Sequence, residues 1–95
     1  MAAYVIAEID ITDPAGYEEY RRQVPGVITK YGGKYIVRGG KVESIEGGWQ
    51  PKRLAVVEFP SMEQAQKFYR SAEYAPLIKL RQKASRGKLI IVEGT

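Results

Sequence analysis

Cysteine and histidine are both absent from this chain of 95 residues. Without cysteine the chain can form no disulfide, no thiolate metal site and no cysteine nucleophile. Without histidine it also lacks the most frequent general base, a frequent metal ligand and the usual proximal ligand of haem. Any chemistry must therefore use carboxylates, tyrosines, lysines, arginines, hydroxyl groups or the backbone, and we expect neither a metal nor an organic cofactor.

Targeting and membrane signals are missing as well. The first ten residues, MAAYVIAEID, contain no basic segment and reach Glu8 and Asp10 too early for a signal peptide. No apolar run approaches the length that spans a membrane. These features predict a cytoplasmic protein without a membrane partner.

Phosphate-binding glycine motifs are also absent, although three glycine pairs occur between residues 31 and 49. Neither G-x-x-x-x-G-K-[ST] nor G-x-G-x-x-G is present. We interpret the pairs as turns. Gly32 ends a helix in the left-handed conformation, Gly39-Gly40 marks a hairpin or a bulge, and Gly47-Gly48 closes the segment that follows.

Charge is unevenly distributed along a chain whose net charge is +4. Residues 1–20 hold five acidic side chains and no basic one, whereas residues 76–92 hold five basic side chains and no acidic one. One interpretation is a pair of solvated helix faces that attract each other. The other is a positive surface that draws in anionic ligands.

The spacing of apolar residues predicts one domain over residues 1–95. Strands are expected at 3–11, 34–38, 52–59 and 87–94, with an additional strand or hairpin at 41–46. A first helix should begin with Thr12 or Asp13 as its cap and Pro14 in its first turn, and Pro25 should kink or interrupt it. A second helix should begin at Ser61 with Gln64 in a capping box, and a short third helix should follow a break near residues 71–76.

The order of these elements is βαββαβ, which is the ferredoxin-like arrangement of the α+β class. It predicts an antiparallel sheet with the helices on one face. The strands are nevertheless apolar on both faces, because Leu54 and Val56 alternate with Ala55, Val57 and Phe59. One apolar face is then left without a helical layer, and the simplest cover for it is a second copy of the chain. We therefore predict a homodimer through this sheet face.

Three segments carry a resemblance to a known family: GGKYIVRGG, VVEFPSMEQA and FYRSAEYAPLIKLR. Together they resemble the domain-of-unknown-function family numbered thirteen-thirty, within the dimeric α/β-barrel superfamily. The resemblance covers nearly the whole chain and implies a ferredoxin-like protomer whose dimer packs sheet against sheet. The wider superfamily includes cofactor-free monooxygenases, muconolactone isomerase-like enzymes and haem-dependent enzymes, of which the haem branch conflicts with the lack of histidine.

Two charged residues within apolar strands, Arg38 and Glu58, are the candidate catalytic residues. A buried carboxylate needs a partner, and Arg38 is expected on the neighbouring strand. The functional hypothesis is that Arg38 clamps an anionic ligand while Glu58 acts as an acid or base with a pKa raised by burial. The alternative is a purely structural ion pair, or exposure of both residues at strand ends.

Polar residues around the break between the second and third helices are the candidate ligand-binding residues. They are Tyr69, Ser71, Tyr74 and Arg81. Breaks between helices often border pockets, and tyrosine offers both an apolar ring and a hydroxyl group. The alternative is that the aromatic residues belong to the core, Ser71 caps the next helix and Arg81 lies on the surface.

Two function classes remain from the sequence. The first is an enzyme without organic cofactor, an oxygenase or isomerase that acts on an aromatic or unsaturated acid in a barrel cavity. The second is a non-catalytic ligand-binding or structural dimer. RNA binding is disfavoured, because the third strand, KRLAVVEF, offers only Phe59 as an aromatic platform, and we expect no nucleic-acid partner.

Overall fold

The computed structural model describes residues 1–95, the whole chain. Its elements are β1 (Ala3–Ile11), α1 (Pro14–Lys30), β2 (Lys34–Arg38), β3 (Leu54–Phe59), α2 (Met62–Tyr69), α3 (Ala75–Ala84) and β4 (Ser85–Glu93). The four strands form one sheet in the order β2-β3-β1-β4, and every pair of neighbours is antiparallel. The helices cover one face of this sheet, so the predicted ferredoxin-like α+β fold is confirmed.

Helix α1 begins and ends where the sequence predicts. The side chain of Asp13 accepts a hydrogen bond from the backbone N–H of Gly16, and Pro14 occupies the first turn, where its missing N–H is no loss. Gly32 follows the helix with φ +82°, a conformation that glycine adopts without strain. Pro25 lies inside the helix without interrupting it. Of the two predicted alternatives, a kink or an interruption, the interruption does not occur.

The segment between β2 and β3 forms no strand, so the additional strand or hairpin predicted at 41–46 is wrong. Its apolar residue Ile45 is 76% exposed, and its neighbours in KVESIE are mostly charged. A strand here would bury almost nothing to offset the entropy cost of ordering it. Gly47 and Gly48, both with positive φ, then turn the chain back toward β3.

Helix α2 starts at Ser61, whose hydroxyl accepts a hydrogen bond from the backbone N–H of Gln64. The reciprocal half of the predicted capping box is absent. The side chain of Gln64 instead donates to the backbone carbonyl of Tyr31 at 2.8 Å, which ties α2 to the end of α1.

The hydrophobic core lies between the helices and the covered face of the sheet. The ring of Phe68 on α2 packs between Phe59 of β3 and Tyr74, with centroid distances of 5.1 and 4.3 Å. Alternate residues of β1 point into the same layer, from Ala3 to Ile9. This aromatic layer sets the distance between the helices and the sheet.

Candidate functional site

Four tyrosines line an apolar cavity between the helices and the sheet. Tyr17 and Tyr20 lie three residues apart on α1 and so share its buried face, while Tyr35 comes from β2 and Tyr74 from the residue before α3. All twelve residues that line this cavity are hydrophobic in type, and its volume is ≈ 30 Å³. That volume is about the share of one water molecule in the liquid, so the cavity is nearly filled.

The hydroxyl groups of Tyr20 and Tyr74 meet inside the protein. Their oxygens are 2.7 Å apart, which is a short hydrogen bond between two buried groups. Burial in an apolar layer disfavours the phenolate and raises the pKa of Tyr20 far above its ordinary value. The pKa of Tyr74 is also raised, mainly by burial, even though the hydrogen bond with Tyr20 and the charge of Arg81 oppose the increase. Both groups therefore remain neutral hydrogen-bonding groups at physiological pH.

Arg81 is buried beside this tyrosine pair. The residue is only 7% exposed, forms no salt bridge within 4.0 Å, and its Nε has no hydrogen-bond partner. Because Arg81 lies one turn after Leu77 on α3, it points into the same buried layer. Arg81 is thus a buried positive charge without a carboxylate partner. The charge acts on the neighbouring hydroxyl groups of Tyr20 and Tyr74.

A surface cleft of ≈ 700 Å³ lies between α1 and the end of β2. Helix α1 contributes Glu18, Arg21, Arg22 and Pro25, and the chain on either side of the long loop contributes Arg38, Gly39 and Arg53. The backbone carbonyl of Arg53 accepts a hydrogen bond from Ile9 N–H at 2.8 Å, and Gly39 N–H donates to Leu54 at 2.9 Å. These bonds attach both ends of the loop to the sheet and fix the floor of the cleft.

The arginines of the cleft lie against the tyrosines of the cavity. The Arg38 guanidinium carbon is 4.6 Å from the centroid of the Tyr35 ring, and that of Arg53 is 5.8 Å from the Tyr17 ring. Both distances are within the range of cation–π attraction. Burial raises the pKa of Tyr35 above its ordinary value, although the charge of Arg38 opposes the shift. The cleft and the cavity are therefore neighbouring parts of one region, with arginines outside and tyrosines inside.

The expected contact between Arg38 and Glu58 is wrong. Glu58 pairs with Lys34 at 3.4 Å, and Arg38 makes only a long contact of 3.4 Å to the backbone carbonyl of Arg21. A bulge between Tyr35 and Val37 adds one residue to β2, so Arg38 pairs with Ala55 instead of continuing the alternation from Lys34. That single extra residue places Arg38 on the helix-covered face, whereas Glu58 lies on the open face.

The four predicted ligand-binding residues, at the break between α2 and α3, lie in two different environments. Tyr74 and Arg81 are buried next to the cavity, as described above. The Ser71 hydroxyl donates to Phe68 O at 2.8 Å and accepts from Tyr74 N–H at 3.2 Å, so both of its hydrogen bonds hold the turn between α2 and α3. Tyr69 is half-buried and packs edge-on against Tyr74, with centroids 5.9 Å apart.

Sequence reasoning missed Arg53, Tyr17, Tyr20 and Tyr35 as members of the site. The tyrosines were recognisable only as core residues, because their helical or strand spacing is equally typical of packing. Arg53 precedes a strand and gave no pattern of its own.

Trp49, the sole tryptophan, lies elsewhere: its indole N–H donates to Glu8 on the open face of the sheet at 3.0 Å.

The structure contains neither a cluster of metal-binding side chains nor a helix that could span a membrane. No group of three acidic side chains is placed to hold a metal ion. None of the helices is both long and apolar enough to cross a membrane.

Solved structures share this fold at low sequence identity. A protein of unknown function from Rhodopseudomonas palustris superposes with a TM-score of 0.77 at 18% identity, over 99% of this chain and 82% of that chain. SnoaB, a cofactor-independent oxygenase from Streptomyces nogalater, superposes with a TM-score of 0.70 at 7% identity, over 99% of this chain and 93% of that chain. A Nitrosomonas europaea protein provisionally described as an antibiotic biosynthesis monooxygenase has a TM-score of 0.60 at 14% identity, over 99% and 98% of the two chains.

These neighbours share the ferredoxin-like fold of this chain, which confirms the α+β fold that the sequence predicts. No curated protein matches the chain at a significant level. The family model described as a domain of unknown function, DUF1330, matches residues 2–95. The chain belongs to the DUF1330 family, as its sequence segments indicated.

Proposed function

We propose that this protein binds a small organic ligand, aromatic or anionic, on the helix-covered side of its sheet. The observation that carries the proposal is the contact between the arginine cleft and the tyrosine cavity. Tyr17 and Tyr35 line the cavity. The Tyr17 ring also lies near the guanidinium group of Arg53, and the Tyr35 ring lies near that of Arg38. A ligand in the cleft would thus meet cations and aromatic ring surfaces at the same place.

The sizes of the two spaces limit how such a ligand can lie. The inner cavity of ≈ 30 Å³ is too small for an organic molecule, whereas the outer cleft of ≈ 700 Å³ is within the range of ligand pockets. The ligand would occupy the cleft, and deeper entry would require the tyrosine side chains to move apart.

The enzymatic form of this proposal is an oxygenase or isomerase that uses no organic cofactor. The fold neighbours include a cofactor-independent oxygenase, which makes this class reasonable for the fold. The groups available beneath the cleft would be the hydroxyls of Tyr20 and Tyr74, with Arg81 beside them. Arg38 would hold the ligand, whereas Glu58 could act only on the open face, where Lys34 pairs with it.

The second candidate is a ligand-binding protein without catalysis. It is favoured by the lining of the inner cavity, which contains no carboxylate and therefore no ordinary general base. Oxygen uptake or product formation with a hydroxylated aromatic acid would separate the enzyme from the binding protein.

We also propose that the protein is a homodimer through the open face of the sheet. That face carries large apolar side chains with no helical layer above them: Val37, Ile90 and Val92 are 37%, 56% and 41% exposed. At about 25 cal/mol per Å² of apolar area, covering such a face contributes several kcal/mol toward association.

A cytoplasmic location stays a prediction of the sequence.

A thermal-shift series with aromatic acids and their neutral amides tests the ligand proposal. Binding to the folded state should raise the Tm in proportion to ligand concentration. Tyr35→Leu should abolish the increase, while Tyr4→Leu, which removes a tyrosine from the open face, should preserve it. Far-ultraviolet circular dichroism would first establish that both variants are folded. If no compound stabilises the protein, or if only Tyr4→Leu abolishes the effect, the proposal is wrong.

A further inference from the structure

The arginines of the cleft differ in whether they already have a carboxylate partner. Arg21 pairs with Glu18 at 2.9 Å, and Arg22 pairs with Glu19 at 2.5 Å. Neither Arg38 nor Arg53 has a carboxylate within 4.0 Å. Two of the four positive charges in the cleft are therefore free to bind an anion.

Both free guanidinium groups lie near a tyrosine ring. The Tyr35 ring lies 4.6 Å below Arg38, and the Tyr17 ring lies 5.8 Å from Arg53. The Nε of Arg53 is buried and has no hydrogen-bond partner. Because this Nε is buried, a ligand in the cleft would have to bind through the other nitrogens of the Arg53 guanidinium group.

Gly39 has no side chain, and the Arg53 guanidinium occupies the space that a side chain at this position would fill. It has φ +68°, and a Cβ added at this position would overlap the Arg53 guanidinium. The residue next to Arg38 in the chain is thus also the residue that Arg53 contacts, and all three residues line the cleft. Since the backbone of each arginine is attached to the sheet, little ordering would be needed on binding.

We propose that Arg38 and Arg53 together bind the carboxylate of an aromatic acid, whose ring lies along the Tyr35 and Tyr17 side of the cleft. This inference rests on the proposed ligand-binding function and assigns the chemical class of the ligand. A guanidinium group is planar and presents paired N–H donors that match the two oxygens of a carboxylate. The tyrosine rings beneath them provide the apolar contact surface that an aromatic ring requires.

Calorimetric titration with benzoate, benzamide and inorganic phosphate tests the assignment. Benzoate and benzamide have nearly the same shape, but only benzoate carries a negative charge. We expect benzoate to bind at least about tenfold more tightly than benzamide, because hydrogen bonds to a charged group contribute about 1.5–3 kcal/mol. Phosphate should bind more weakly than benzoate, because it offers no ring to the tyrosines.

Substitutions of the two arginines test whether benzoate binds in the cleft. Arg38→Gln and Arg53→Gln should each weaken benzoate binding about 10- to 100-fold. Arg53→Lys keeps the charge but removes the planar fork, and should also weaken it. Arg70→Gln, which removes an exposed arginine at the end of α2 that does not line the cleft, should leave binding unchanged.

The outcomes separate this inference from the proposed function. If benzamide binds as tightly as benzoate, the carboxylate assignment is wrong and the ligand-binding function stands. If neither compound nor any other aromatic ligand binds, both are wrong. Phosphate binding as tight as that of benzoate, with the same loss in the arginine variants, would overturn the aromatic part of the assignment.

Discussion

The two faces of the sheet carry similar apolar side chains in very different surroundings. Val57 and Phe59 on the helix-covered face are 5% and 1% exposed, whereas Ile90 and Val92 on the open face are 56% and 41% exposed. The neighbouring residues Val56 and Val57 differ only in the face to which strand alternation assigns them. The strands thus present more apolar surface than the helices of one chain can cover.

From this difference we propose separate roles for the two faces. The covered face has an aromatic core and, at its edge, a cleft where arginines contact tyrosine rings, which suits a ligand. The open face has apolar strands edged by the Lys34–Glu58 pair, which suits a second copy of the chain. Changes on one face should therefore leave the property of the other face largely intact.

The largest expected effect is on self-association. Ile90→Asp places a carboxylate on the open face, so both copies would bury an unpaired charge, at a cost of several kcal/mol for each. Sedimentation should show a dimer for the unmodified chain and a monomer for this variant. Ala72→Asp, which adds the same charge at an exposed position between α2 and α3, should remain dimeric. A dimeric Ile90→Asp protein would show that the interface lies elsewhere.

The covered face should respond to the loss of an aromatic ring in its core. Phe68→Ala removes the ring between Phe59 and Tyr74 and should lower the free energy of unfolding by about 3–5 kcal/mol. Urea denaturation measures this change. Ile45→Ala, in the exposed loop, should change stability by no more than about 0.5 kcal/mol. Equal effects of the two substitutions would contradict the described core.

A smaller effect is expected at the buried tyrosine pair. Tyr20→Phe leaves the Tyr74 hydroxyl without its 2.7 Å partner and should cost about 1–3 kcal/mol. Because the double variant Tyr20→Phe/Tyr74→Phe leaves no hydroxyl unsatisfied, it should cost less than the sum of the single changes. Strict additivity in urea denaturation would mean that the two hydroxyls do not interact.

The smallest expected effect is a pH dependence of stability that arises from Glu73, which lies outside both faces of the sheet. Hydrogen bonds from Lys30 and Tyr31 lower the pKa of Glu73 from 4.5 to about 2. The stabilisation by this carboxylate is therefore present above its unfolded pKa and is lost as the pH falls toward about 2. The Tm difference between the unmodified chain and Glu73→Gln should shrink over that range, and it should be small because the groups are exposed.

Glu63→Gln serves as the control for this acid titration. Glu63 has only a longer contact of 3.5 Å to Lys67. Its substitution removes a carboxylate without removing a hydrogen bond of the kind that Glu73 accepts, so its effect on Tm should be smaller than that of Glu73→Gln. A difference for Glu73→Gln that stays constant from neutral pH to about 2 would show that the contact with Lys30 and Tyr31 does not stabilise the fold.

The elements of the fold were predictable because their signals are local. Asp13 with Pro14, Ser61 and Gly32 mark helix ends by their own hydrogen bonds or backbone angles, and each lies where the sequence predicts. The loop after β2 was mispredicted because its signal is weak. The segment KVESIE lies between two glycine pairs, as a strand can, but its apolar residues Val42 and Ile45 stand three positions apart and do not alternate.

The candidate site was predictable only in part, because it depends on a single backbone irregularity. Without the bulge between Tyr35 and Val37, Arg38 would share the open face with Glu58, as the sequence suggested. The sequence offers no signal for that bulge. Arg53 reached the site through the return of a long loop, which residue spacing does not reveal, whereas Arg81 was among the residues predicted around the break between α2 and α3.

The most direct test of the account is a map of chemical-shift changes in the NMR spectrum of the protein during titration with benzoate. The account predicts changes at Arg38, Arg53 and Tyr35 around the cleft and none at Val56 and Ile90 on the open face. Changes confined to the open face, or saturable binding without any change around the cleft, would contradict the assignment of ligand binding and self-association to opposite faces of the sheet.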